Sequence, residues 1–267
     1  MAKLLKSTNC IKAYDDFLSK NFWRLYMFIS LRIVNFVVGK SCITTMIEIS
    51  IHPSLSQVCP ALQVGVIEAC VANSDTTEML WNEVQEEARR IASLYTTETL
   101  SQRAAIAATR RAYRALGKDP ARYRVSSEAL CRRAIRGAGL YRINTLVDLL
   151  NIVSMRSGYS IGGFDADCIN GGLTLGVGTA DDIFNGIGRG PLNIAGLPLY
   201  RDNVGGVGTP TSDEERTKLT LSTTRLLVCI NAYAVEMPLD ECFDFTAELL
   251  DRYAAATEIS TRILSAG

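Results

Sequence analysis

Apolar positions recur at helical spacing across residues 142–157, where Ile143, Leu146, Val147, Leu150 and Val153 make one face and Asn144, Asp148 and Asn151 make another. Gly158 ends this helix, and Gly162 and Gly163 follow in a short run where a backbone can approach a ligand closely. An aligned Asn/Asp/Asn stripe beside such a turn is pocket-like; the alternative is that Asn144 caps the helix and Asp148 is solvated. Upstream, residues 47–51 alternate as a strand and residues 62–71 form a second, so the two are expected to pair across a proline-containing loop. Thr76 and Thr77 lead a helix through Trp81, Val84 and Ala88 to Leu94, acidic early and basic late as the helix dipole favours. Downstream the texture changes to short strands and glycine turns. Asn170-Gly171 and Asn185-Gly186 are hairpin signals, and residues 224–232 read as a buried strand. Residues 238–264 read as a long amphipathic helix, whole or broken, that opens on Pro238 and the acids Asp240, Glu241 and Asp244.

Residues 1–45 do not continue this pattern. Residues 22–38 are apolar, but Arg24, Arg32 and Asn35 interrupt them. A central arginine costs roughly 2.5–3.5 kcal/mol on insertion, and the run falls short of the ~20 residues of a span, so no membrane is expected. The segment is expected to be an N-terminal appendage, such as an upstream extension of the reading frame, ahead of a single domain over residues 46–267. The chain's 267 residues are 48% apolar with zero net charge, ample for a core. Its eight cysteines are scattered without a C-x-x-C pair, and His52 is the only histidine. No metal and no cofactor are expected, and reduced thiols in the cytoplasm are the default.

Charge changes the picture between residues 101 and 142. Eleven basic residues stand there against two acids, Asp119 and Glu128, a local charge of +9. Arg103, Arg110 and Arg114 share a helical spacing, and Arg132, Arg133 and Arg136 cluster on a second helix that Ser127 is expected to cap. Arginine's planar fork suits phosphate, and Tyr113 and Tyr123 among them suit exposed bases, so the stretch reads as an RNA-backbone footprint. The competing reading is internal pairing, notably with Asp240, Glu241, Asp244 and Glu248.

Three motif matches carry less. Residues 158–162 spell G-x-S-x-G, but a helix precedes them, a strand follows, and the histidine lies upstream, all contrary to a nucleophile elbow. Gly186, Gly188 and Gly190 lead to Pro191 and no helix, which suits turns and not a dinucleotide fingerprint. Asp165, Asp167, Asp181 and Asp182 could group as carboxylates, though solvation or arginine pairing is the simpler account.

The run I-N-T-L-V-D-L-L-N-I-V (143–153), with G-Y-S-I-G-G-F-D (158–165), Val204-Gly205-Gly206 and T-S-D-E-E-R-T (211–217), resembles the B3/B4 domain of the phenylalanyl-tRNA synthetase beta subunit. That module hydrolyses wrongly charged aminoacyl-tRNA. The resemblance covers about residues 110–233, with an arginine-rich lead-in like that of free-standing relatives. It implies an α+β fold, a mixed three-layer α/β sandwich with a preceding helical section and a C-terminal helix. It implies tRNA or aminoacyl-tRNA as partner, or a free amino acid if the pocket alone is kept. Of the synthetase editing residues, the asparagine is matched by Asn151 and the Phe-Asp by Phe164 and Asp165. The threonine is replaced by Leu150, the histidine by Gly162, and the glutamate that reads a tyrosyl hydroxyl by Val207, so selectivity for tyrosine should be absent. The expected pocket is lined by Asn144, Asn151, Tyr159, Ser160, Gly162, Asp165, Arg201, Asp202 and Arg216. The expected RNA contacts are Arg103, Arg110, Arg114, Arg132, Arg133 and Arg136.

Overall fold

The computed structural model describes residues 45–267, and the apolar run at 22–38 with nearly all of the expected appendage lies outside them. Cys42–Gly267 groups as one compact unit. Its first elements are strand β1 (Ile49–Ile51), the one-turn helix α1 (Pro53–Ser56), strand β2 (Gln63–Cys70) and helix α2 (Glu78–Leu94). Helices α3 (Ala104–Ala115), α4 (Ser126–Ile135) and α5 (Thr145–Ser157) follow, and then β3 (Ser160–Asp165) and β4 (Leu173–Val177). A small ribbon of β5 (Asn185–Gly186) and β6 (Gly190–Pro191) precedes β7 (Pro198–Arg201), β8 (Gly206–Gly208) and β9 (Arg225–Ala232). Helix α6 (Leu239–Ala254) and strand β10 (Thr257–Ser265) close the chain. Among the described residues, no helix is long and apolar enough to cross a membrane.

Two four-stranded sheets stack beneath a helical layer, giving the α+β sandwich. One sheet, ordered β10-β2-β9-β3, is antiparallel; the other, β1-β4-β7-β8, is mixed because β1 runs parallel to β4. Strand alternation sorts the two cores. Leu226, Val228 and Ile230 of β9 face α5 and α6, while Leu227 and Cys229 face the second sheet with Leu173, Leu175, Tyr200 and Val207. Gly65 of β2 gives up its side chain because Phe243 of α6 lies 2.9 Å from where a Cβ would stand.

Three expectations change. The first two strands do not pair; β1 joins β4, and β2 lies between β9 and β10. Asn170-Gly171 turns the chain from one sheet to the other, and Asn185-Gly186 is itself a strand of the ribbon. The expected closing helix stops at Ala254, where Ala255 adopts a left-handed backbone (φ 45°), and residues 257–265 become an edge strand on β2. Ile259, Ile263 and Leu264 in a polar run fit either period, and the free edge of β2 decides between them. Five cysteines, Cys59, Cys131, Cys168, Cys229 and Cys242, are free thiols, whereas Cys70 is disulfide-bonded, an exception to the all-reduced expectation.

Gly158 ends α5 with φ 77°, and a Cβ there would stand 3.0 Å from both the Arg103 guanidinium and the Glu236 carboxylate. Gly158→Ala should therefore cost about 1–3 kcal/mol, from the left-handed backbone and the displaced ion pair, read as a lowered urea midpoint. An unchanged midpoint would mean that this turn is not rigidly held.

Candidate functional site

The turn from α5 into β3 carries most of the residues the sequence singled out, and the fold itself engages several of them. Asn144 caps α5: its Oδ1 accepts from the Val147 amide at 3.0 Å and its Nδ2 donates to the Leu219 carbonyl at 3.3 Å. Asp148 is fully buried, contrary to a solvated position, and accepts from the Thr76 hydroxyl and the Ile143 amide. Burial pushes its carboxyl up, and those two bonds oppose the shift. Tyr159 is buried, donating to the Met237 carbonyl at 2.7 Å and accepting from the Glu236 amide at 2.9 Å. Asn144 and Asp148 hold the start of α5, and Tyr159 holds the turn into β3. Asn151 is half-buried, and its side chain makes no hydrogen bond among the described residues.

The expected pocket is divided by β3. On the helix side, Leu150 fills the space over Gly163. On the inter-sheet side lie Ser160, Gly162 and Phe164. Asp165 is held by the Thr223 hydroxyl at 2.7 Å. Asp202 and Arg216 come together as a pair, with both guanidinium nitrogens 2.9 Å from the carboxylate. Arg201 faces elsewhere, paired with Asp182 at 2.7 Å and lining a cavity of about 620 Å³ with His52, Ser54 and Thr174. That arginine holds the Asp182 carboxyl down at about 2.

The basic segment is split in the same way. Arg103 is buried and donates to Glu236 at 2.7 Å and to the carbonyls of Met155 and Arg156 at 2.8 and 3.0 Å. Its donors are consumed within the fold, which corrects its place in the RNA-facing set. Glu128, fully buried, gathers Arg110 at 2.9 Å and Arg132 at 2.8 Å. Arg133 donates to the Gly139 carbonyl and lies over the Tyr141 ring. Arg111, Arg114 and Arg136 are exposed and unpaired among the described residues. None of the segment's arginines pairs with Asp240, Glu241, Asp244 or Glu248; the helix acid Glu248 goes to Arg252. Ser127 does not cap α4; Val125 holds that position, and the Ser127 hydroxyl is buried without a partner.

Two features lie outside the expected set. The first is a cavity of about 290 Å³ where the basic segment meets the glycine-rich half, lined by Arg122, Tyr123, Arg189, Asn193, Thr209, Thr211 and Ser212 among others. Lys118 sits 4.6 Å from the Tyr123 ring centre, so cations gather at this rim. The second is Asp213, opposite Gly208 in the chain pairing beside β8. A Cβ on Gly208 would stand 2.7 Å from the Asp213 Oδ1 and 2.6 Å from the Phe164 ring, so the glycine makes room for both. Asp213 keeps a partial opening to solvent, yet protein crowds its carboxyl, and burial raises it to about 8. In the sequence it falls within the 211–217 run that carries part of the resemblance, and nothing there sets it apart from its neighbours Glu214 and Glu215. Among the described residues, no group of His, Cys, Asp and Glu side chains is placed to hold a metal ion.

A mixed α+β sandwich with a helical, arginine-rich lead-in defines the class, and residues 108–237 match the family model of the B3/4 domain. That match runs over nearly the span of the sequence resemblance, a little under half of the chain. Among solved structures, the chain is similar to an N-terminal fragment of the phenylalanyl-tRNA synthetase beta subunit from Pyrococcus horikoshii, at a TM-score of 0.43 and 12% identity, covering 80% of this chain and 50% of that one. The chain thus spans about half the length of that fragment. No curated protein matches it.

Proposed function

We propose that the protein binds tRNA, aminoacyl-tRNA in particular, through its B3/4 domain. The observation that carries this reading is the cavity at the junction of the two halves, lined by Arg122, Arg189 and Tyr123 together with Asn193, Thr209, Thr211 and Ser212. Guanidinium groups suit phosphates and an aromatic ring suits a base, which together describe the end of a single strand. The exposed Arg111, Arg114 and Arg136 extend the positive surface along the lead-in helices. A role on tRNA places the protein in the cytoplasm as a single working domain over residues 46–267.

Trans deacylation is the catalytic form of the same reading. Gly162 stands where the synthetase site has a histidine, so cleavage would depend on Asn151 and neighbouring polar atoms positioning water and ester, not on a side-chain base. The second reading is an amino-acid-binding protein without RNA. It is favoured by Glu128, which ties two of the expected RNA-facing arginines inside the fold.

The double variant Arg122→Ala/Arg189→Ala separates the two. Removing two phosphate contacts should lower the slope of log affinity against log salt by about 1.4–1.8 and weaken tRNA binding roughly 10-fold near 0.1 M salt. Unchanged tRNA affinity would remove this cavity from the RNA path. Binding of free amino acids by a protein that ignores tRNA would favour the second reading.

A further inference from the structure

Strand alternation sends Leu173 and Leu175 of β4 and Tyr200 of β7 into the inter-sheet core, so Thr174, Gly176 and Arg201 stand on the other face of the second sheet. That face carries the cavity of about 620 Å³, with His52 and Ser54 exposed at its mouth. Arg201 is fixed in place by the fold. Its Nε donates to Asp182 at 2.7 Å and its Nη2 to Asp182 and to the Val177 carbonyl. The Asp182 carboxylate is held in turn by the Thr179 amide at 2.6 Å and the Thr179 hydroxyl at 2.9 Å. The Arg201 Nη1 is left without a partner among the described residues. The Ser54 amide donates to the His52 Nδ1 at 3.1 Å, so that nitrogen is bare and the ring proton sits on Nε2, which has no partner among the described residues either. Gly176 is the floor between these groups. A Cβ there would stand 3.4 Å from the His52 Cβ, 3.5 Å from the Arg201 Nη1 and 3.7 Å from the Ser54 Oγ, so one point in the cavity lies beside all three side chains.

We infer that this cavity binds the carboxylate of a small organic acid above Gly176, with the Arg201 Nη1 and the His52 Nε2–H as donors to its oxygens; the inference does not depend on the tRNA reading. Nitrogen donors of this kind suit a carboxylate or a phosphate, and the charge of the lining decides between them. Arg201 and Asp182 are the charged side chains of the lining and offset each other, so the wall carries no formal net charge. A monoanion meets a guanidinium whose Nη1 is free, whereas a dianion adds a second negative charge that nothing in the lining offsets. Asp182 does not compete for the two donors, because its oxygens are engaged by Arg201 and Thr179. Its part is to hold the guanidinium ready. Beyond the donors, Val177 and Gly178 continue the wall, which suits a short hydrocarbon tail.

The test titrates the full chain by NMR with butanoate, with butanamide, which keeps the shape and loses the charge, and with propyl phosphate. Butanoate should bind with a dissociation constant on the order of millimolar, as suits so small a ligand, and should shift the backbone amide signals of Gly176, Gly178 and Thr179. Butanamide should bind at least ~10-fold more weakly, because a charge-assisted hydrogen bond is lost, and propyl phosphate no tighter than butanoate. Gly176 has no left-handed backbone, and a Cβ there meets only ordinary contacts. Gly176→Ala should therefore fold normally while its methyl takes the carboxylate's seat and weakens butanoate at least ~10-fold. Equal binding of butanoate and butanamide, tighter binding of propyl phosphate, or undiminished affinity in Gly176→Ala overturns the inference, as does no binding of butanoate up to about 50 mM. Should Gly176→Ala fail to fold, the wild-type shifts decide the matter, and shifts confined to other parts of the chain overturn it.

Discussion

Asp213→Asn is expected to unfold at higher urea than the wild type at pH 8 and at the same urea below about pH 4. The carboxyl titrates near 8 in the fold because burial disfavours its charge, whereas an aspartate in an unfolded chain titrates near 3.9. Below about pH 4 both states hold the proton, and the acid costs nothing. As pH rises from about 4 to 8, the unfolded chain gives up the proton while the folded chain keeps it, so wild-type stability falls across that window and levels off above it. Asparagine has no proton to lose and escapes this penalty. After a discount for the residue's partial opening to solvent, the gain is on the order of 3 kcal/mol near pH 8. Equal stability at pH 8 would show that the carboxyl has found a partner in solution.

Arg103→Met is expected to cost about 3–5 kcal/mol, because it strips the Glu236 carboxylate and the α5-terminal carbonyls of Met155 and Arg156 of their shared donor. Arg114→Ala, at an exposed position on the following helix, should change stability by no more than about 0.5 kcal/mol. Urea melts of the two variants measure the contrast. A loss under about 1 kcal/mol for Arg103→Met would return that residue to the surface. Both arginines fit one helical spacing in the sequence. The spacing fails because Arg103 is the cap that precedes α3, so its side chain does not lie on the helix face that Arg110 and Arg114 share.

Local signals were legible where one period dominated. Thr77, Asn144 and Gly158 bounded their helices as their chemistry predicts, and the continuous apolar run in residues 224–232 gave β9 almost to the residue. The resemblance carried by 143–165 and 211–217 led to the B3/4 domain. Pairing was not legible: nothing local tells β1 to run beside β4 instead of β2, since that choice is made by the inter-sheet core of Leu173, Leu175 and Val66. The site was legible only in part for the same reason. Asn144 and Tyr159 have the composition of pocket residues, yet whether a polar atom meets a ligand or a carbonyl depends on chain segments 75 and 78 residues away. Asp213 is the converse, an ordinary acid in sequence that becomes exceptional when Gly208 and Phe164 close around it.

Binding of the full chain to bulk tRNA, uncharged and aminoacylated, across a salt series from about 0.05 to 0.3 M tests the central claim most directly. The account predicts affinity that falls steeply with salt and favours the aminoacylated form at every salt concentration. Absence of binding at the lowest salt, or binding indifferent to both salt and aminoacylation, would contradict it.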